Sequence, residues 1–208
     1  MTSDASAGAD SRSGPHPSLF GKLPTHGDFV QRGLDLTACD AWDRWASEGL
    51  QAARVTLGER FDDAHDSAPP WRFIDPPGRF GRDWRAGALA PSIDAAGRRF
   101  MIMLAADGLS SDQAGGGGEA IAEEMEALIY QAFESGWDAD ATITAAREPV
   151  ARLGAEVAPP RPRWWTLGGP GHDPMTLPGG PDGLFAQMIV PPTPAPGADG
   201  ARCCGMFW

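Results

Sequence analysis

The chain has 208 residues, a mass of 22.0 kDa and a formal net charge of −11, a length for one large domain or two small ones with a real core. No apolar run approaches the about 20 residues of a membrane-spanning helix, because the longest, Phe100–Ala106, ends at Asp107, and Met1–Ser13 is polar, without the apolar centre of a secretory signal. Three Cys do not make a disulfide framework and point to a reducing cytoplasm; the acidic balance argues against a nucleic-acid partner, and eight Trp with nine Phe argue against general disorder.

Residues 1–17 are rich in Ser, Gly, Ala and Pro and read as a disordered leader. Ser18–Lys22 reads as a short first strand and Pro24-Thr25-His26-Gly27-Asp28 as a turn. Thr37 is the expected cap of a helix running to Leu57, with Gly58 as its stop. Within it Cys39, Trp42, Ala46, Leu50, Ala53 and Leu57 recur every three or four residues and define a buried face, which Trp45 widens. Glu59–Ala68 is a short helical piece ended by Pro69-Pro70. Trp71–Ile74, Trp84–Leu89 and Arg99–Ala106 follow as strands, the last apolar throughout and therefore expected to be covered on both faces. Asp94–Arg98 is a tight turn around Gly97.

Gly115–Gly118 reads as a flexible hinge before a helix over Glu119–Ser135, whose apolar face is Ile121, Met125, Leu128, Ile129, Ala132 and Phe133. A further helix is expected over Asp138–Leu153, weakened by Pro149. Arg163–Leu167, Leu184–Val190 and Cys203–Trp208 are late strands, and 191–201 is a Pro/Gly loop. Strands interleaved with helices predict an α/β fold, with helices on both sides of a mixed sheet, in a single domain over 18–208.

Charge is unevenly spread. Residues 107–146 hold nine acids and no Lys or Arg, whereas Trp71–Arg99 holds six Arg against three Asp. Either the two segments face each other within the fold, or the acidic one faces solvent or a partner.

Nucleotide binding is not supported. Gly21-Lys22 follows Gly14 at the wrong spacing and precedes Leu23 rather than a hydroxyl residue, and the glycines at 115–118 are followed by Glu119. No cofactor is expected. The four His stand apart; His65 with Asp62, Asp63 and Asp66 reads as a solvated acidic turn in preference to a metal cluster, and no metal site is expected. Cys203-Cys204 fit neither a zinc nor a redox spacing, and Cys39 reads as core. A Gly-x-Ser-x-Gly elbow is missing from the sequence.

One polar set stands out. Ser92 and Asp94 lie two apart at the end of a predicted strand, as do His26 and Asp28 in the first turn. If those ends meet, they and Arg32 form a polar pocket; otherwise Ser92 and Asp94 only stabilise the strand-to-turn transition. Trp42, Trp45, Trp71 and Trp84 read mainly as core, with one or two available as interface anchors.

The ordered succession Phe20-Gly21-Lys22-Leu23-Pro24, Gly27-Asp28-Phe29-Val30, Arg32-Gly33-Leu34, Trp42-Asp43-Arg44-Trp45, Pro70-Trp71-Arg72-Phe73, then Trp84, Gly87, Leu89, Pro91-Ser92, Asp94, Gly97-Arg98 and Phe100, with Trp164-Trp165-Thr166 and Gly168 later, resembles the TagF (ImpM) family of type VI secretion accessory proteins. The likeness covers roughly residues 19–190 and departs at His26, Arg79-Phe80-Gly81 and Met101. It implies a three-layer α/β/α sandwich and a cytoplasmic, non-enzymatic, post-translational repressor of type VI secretion that binds a forkhead-associated (FHA) scaffold. It also implies a functional link to a Ser/Thr kinase and a PP2C-type phosphatase, in a stand-alone form without the phosphatase domain. Lys22, His26, Asp28, Arg32, Trp42, Ser92 and Asp94 become the candidate pocket or partner-binding residues. The alternative is a small hydrolase or ligand-sensing domain around Ser92/Asp94 and Asp28/Arg32.

Overall fold

Seven strands join in one sheet in the computed structural model of the chain, which describes residues 14–154, 158–169 and 172–189. They are β1 (His16–Gly21), β2 (Val30–Arg32), β3 (Trp71–Asp75), β4 (Trp84–Ile93), β5 (Arg99–Leu109), β6 (Arg163–Thr166) and β7 (Met175–Pro178), in the spatial order β2-β1-β5-β4-β3-β6-β7. Every pairing is antiparallel, so the sheet is not the expected mixed one. Short reversals at 76–83 and 94–98 turn the chain back between β3, β4 and β5, where a parallel pair would need a long crossover.

The continuous apolar run of β5 serves two cores. Met101, Met103 and Ala105 face α1 (Leu36–Leu57), α2 (Phe61–Ser67) and α5 (Leu184–Met188). Ile102, Leu104 and Ala106 face α3 (Ser111–Ser135) and α4 (Ala139–Ala151). Period-two alternation thus supplies both faces of the middle layer, and the α/β/α layering follows. The α1 face expected from the sequence is buried at all six positions, Cys39 to Leu57. Burial pushes the Cys39 thiol up to about 11, as suits a core thiol. Trp42 stacks on Phe80 at 3.9 Å, and Trp42, Trp71 and Trp164 are each nearly fully buried.

Several boundaries differ from expectation. β1 begins at His16, inside the expected leader, whose residues 1–13 lie outside the described residues, as do 191–201 and Cys203–Trp208. Asp35 rather than Thr37 caps α1, its Oδ1 accepting from the Ala38 N–H at 2.7 Å. Gly115–Gly118 is no hinge: α3 starts at Ser111, behind a capping box of Ser110 and Gln113. The glycines serve close approach instead. A Cβ at Gly115 would lie 1.7 Å from the Ala158 carbonyl oxygen, and one at Gly118 2.9 Å from Ile74 Cδ1 of the sheet. Leu184–Met188 is helical, because Leu184 and Met188, one turn apart, both enter the α1-side core. β2 and β7 were not expected; they are the sheet's two short edges.

The acidic segment is largely paired within the fold, but only Arg72 and Arg85 of the basic segment Trp71–Arg99 face it; the other cations come from elsewhere in the chain. Arg72 of β3 meets Glu126 at 2.8 Å and Glu123 at 3.8 Å, Arg32 meets Asp140 at 2.7 Å, and Arg152 and Arg163 meet Glu124 and Glu119. With Asp107 on Arg85, six of the nine acids in 107–146 have an intramolecular cation.

Candidate functional site

The candidate site forms where β1 passes the β4–β5 hairpin. Gly21 ends β1 with φ +131°, and a Cβ there would lie 2.0 Å from the Met101 carbonyl oxygen. Only glycine lets the two backbones meet so closely. The next residue, Lys22, donates its N–H to that same carbonyl at 3.1 Å. Its side chain turns under the hairpin and donates to Asp94 Oδ2 at 2.8 Å. Both groups are almost fully buried.

Asp94 is saturated. Oδ1 accepts from the backbone N–H groups of Ala96 (3.0 Å) and Arg98 (2.9 Å), while Oδ2 accepts from Lys22 Nζ and from Arg98 Nε at 2.6 Å. The Lys22 ammonium, with Arg98 and these N–H groups, holds its carboxyl well below the usual carboxylate range. Ser92, on the same strand end, donates to the Lys22 carbonyl at 2.7 Å. Lys22, Ser92 and Asp94 therefore converge in a closed clamp. The serine hydroxyl faces a carbonyl, and no imidazole bonds to it among the described residues.

The other candidates spread outward from this clamp. The His26 carbonyl accepts from the Ala95 N–H at 2.8 Å, tying the β1–β2 turn to the hairpin; its ring is half-buried beside Thr25. Thr25 Oγ1 also donates to the Trp137 carbonyl at 2.9 Å, linking that turn to the α3–α4 junction. Asp28 is exposed and, among the described residues, accepts only from its neighbour's N–H, that of Phe29. The Phe29 ring is 44% exposed, lies edge-on to Phe100 at 4.7 Å and covers the Lys22 ammonium at 5.1 Å. Arg32 does not join the clamp, because it is engaged with Asp140 of α4. Trp42 is core.

Sequence reasoning missed a second polar row. Ser18, Asp107, Arg85, Asp75 and Trp164 come from five adjacent strands, β1, β5, β4, β3 and β6. Arg85 meets Asp107 at 2.9 Å and the Phe80 carbonyl at 2.6 Å, Ser18 donates to Asp107, and Trp164 Nε1 donates to Asp75 at 3.2 Å. Burial pushes the Asp75 carboxyl up, against the nearby arginines. No local pattern announces this row, since its members meet only through sheet register. Also unannounced is a groove of about 360 Å³ between α1 and α5, lined by Trp45, Glu48, Gly49, Ala52, Arg79 and Phe185 among others.

Among the described residues no His/Cys/Asp/Glu cluster is arranged to hold a metal, and no helix is long and apolar enough to cross a membrane. Asp62 and Asp66 beside His65 turn instead to Arg99, which holds the Asp66 carboxyl below its usual range.

Comparison with solved structures finds a crystal structure of PA0076 from Pseudomonas aeruginosa PAO1, with a TM-score of 0.68 and 27% identity, over 83% of this chain and 93% of that one. No curated protein matches the chain. The family model described as the TagF N-terminal domain, type VI secretion system-associated, matches residues 18–148. This stretch carries the clamp, both helical layers and five of the seven strands, β1 to β5, and on it the chain belongs to the TagF N-terminal domain family of type VI secretion-associated proteins.

Proposed function

We propose that the chain is a cytoplasmic, non-enzymatic regulator that represses type VI secretion after translation by binding an FHA-domain scaffold protein, in functional link with a Ser/Thr kinase and a PP2C-type phosphatase. Family membership over residues 18–148 carries this reading. The chemistry of the clamp supports binding over catalysis. A general base needs a free lone pair within reach of a substrate proton, and the Asp94 oxygens already accept four hydrogen bonds.

The clamp instead fixes the backbone behind an exposed tip of Asp28 and Phe29, with His26 half-buried at its base, and a preorganised tip loses little conformational freedom on binding. The acidic 107–146 segment is a weaker candidate for steering a partner, since most of its carboxylates have internal cations.

The test is capture of the FHA-domain scaffold encoded in the same genome by the purified chain, followed by isothermal titration. Saturable 1:1 binding that weakens on Phe29→Ala and Asp28→Lys is expected. Failure to bind at tens of micromolar would overturn the reading.

A further inference from the structure

A cleft of about 220 Å³ opens beside the end of β4. Pro24, Pro91, Ile93 and Phe133 wall it, with His65 and Asp66 along one side. Ile93 is 37% exposed, and Tyr130, edge-on to Phe133 at 6.2 Å, is 40% exposed. The cleft is smaller than the roughly 300–1,000 Å³ of pockets for drug-sized ligands, and its apolar walls suit a single side chain.

Its polar atoms are occupied. Ser92 Oγ donates to the Lys22 carbonyl, and the His65 ring bonds the Phe100 carbonyl through Nε2 at 2.8 Å and lies 3.1 Å from Asp66 through Nδ1. A small polar ligand would find nothing there to read.

The rim is acidic. Arg99 is shared by Asp62 at 3.0 Å and Asp66 at 2.7 Å. Asp63, beside them on α2, is exposed, has no salt bridge among the described residues and acts on the same Arg99, so three carboxylates surround one guanidinium. Arg98, at the hairpin turn, is held by Asp94. Such a rim repels phosphate backbones and anionic lipid surfaces and attracts a basic polypeptide.

We infer that this cleft docks a basic segment of a partner protein, resting for the existence of that partner on the function proposed above. One aliphatic side chain fills the slot between Pro24, Ile93 and Phe133, while flanking Lys or Arg residues face the carboxylates of α2, Asp63 first among them. The apolar anchor supplies affinity, and the charges set orientation and rate of encounter.

The probe is a blocked pentapeptide, Arg-Arg-Leu-Arg-Arg, titrated into the isotope-labelled full chain at low salt and followed by amide chemical shifts. Arg-Arg-Ala-Arg-Arg and Glu-Glu-Leu-Glu-Glu are the controls. Saturable shifts around Ile93 and Phe133 are expected, with affinity about tenfold weaker for the alanine peptide and for Ile93→Ser, and no saturation with the acidic peptide. Equal binding of the leucine and alanine peptides, unchanged binding to Ile93→Ser, or no saturation with the leucine peptide would overturn the inference. Should Ile93→Ser not fold, Asp63→Lys, at an exposed position, is expected to weaken the leucine peptide and overturns the inference if it does not.

Scaffold capture separates this site from the proposed function. Equal capture by wild type and Ile93→Ser would remove the cleft and keep the regulator. Leucine-peptide binding without scaffold capture would keep the cleft and remove that partner.

Discussion

The ring of Phe185 occupies the space that a side chain at Gly49 would fill: a Cβ on residue 49 would lie 2.0 Å from Phe185 Cδ2. Glycine in mid-helix costs about 1 kcal/mol against alanine, and here it lets α5 lie directly on α1. Gly49→Ala is therefore expected to lower stability despite its better helix propensity, because overpacking costs roughly 1–3 kcal/mol. Urea denaturation checks this. Combining it with Phe185→Ala should give less than the sum of the single losses, since removing the ring removes the clash.

The same reasoning separates the glycines of α3. At Gly115 an added Cβ meets the backbone carbonyl of Ala158, which cannot yield without moving the chain; at Gly117 it meets only the end of the Leu153 side chain, at 2.7 Å. Gly115→Ala is expected to lower the thermal midpoint. Gly117→Ala is expected to leave it unchanged or to raise stability by up to about 1 kcal/mol. Equal effects would mean that the 158–160 segment does not press on α3.

These glycines also mark the limit of what the sequence disclosed. The faces of α1 and α3 and the run in β5 were legible because their apolar residues repeat at the period of the element. The start of α3 was not, because four glycines lower local propensity while the contacts that call for small residues there, Ala158 for Gly115 and Ile74 for Gly118, are distant in sequence. β2 and β7 escaped notice as short edges with exposed positions, and α5 was read as part of a strand, Leu184–Val190, because five residues are too few for a helical period to declare itself. At the candidate site the two-residue spacing put Ser92 and Asp94 on one side and offered them His26, Asp28 and Arg32, whereas the residue they bond is Lys22, which no spacing announced. Nothing local could assign Arg32 to Asp140, 108 positions away.

The buried row gives a contrast between two carboxylates, one bonded to an arginine and one to an indole. Asp107 meets the Arg85 guanidinium at 2.9 Å in an almost dry site. Asp107→Asn leaves that cation without its partner and is expected to cost about 3–5 kcal/mol. Asp75 is held by an indole N–H, which an amide oxygen can accept equally well, and burial disfavours its charge. Asp75→Asn should therefore be neutral or stabilising at pH 7. Chemical denaturation of the two variants decides, and a larger loss at Asp75 would contradict the arrangement.

Acid stability follows from the clamp. An unfolded aspartate titrates near about 3.9, and folded Asp94 is held well below that range by Lys22, Arg98 and two backbone N–H groups. Between the folded and unfolded values the unfolded chain binds more protons. The contribution of Asp94 is therefore fully present above the unfolded value and is lost as pH falls through the folded one. Asp66 on Arg99 and Asp140 on Arg32 are shifted the same way. Asp75 is shifted oppositely, so its contribution is present at low pH and lost as pH rises through its folded value. Asp94→Asn keeps acceptors for the hairpin N–H groups but leaves the buried Lys22 ammonium facing an amide. It is expected to be less stable than wild type at pH 7 and to lose less on acidification, the two denaturation midpoints drawing together as pH falls below about 4. Parallel midpoints below about pH 4 would mean that the charge on Asp94 does not hold β1 to the hairpin.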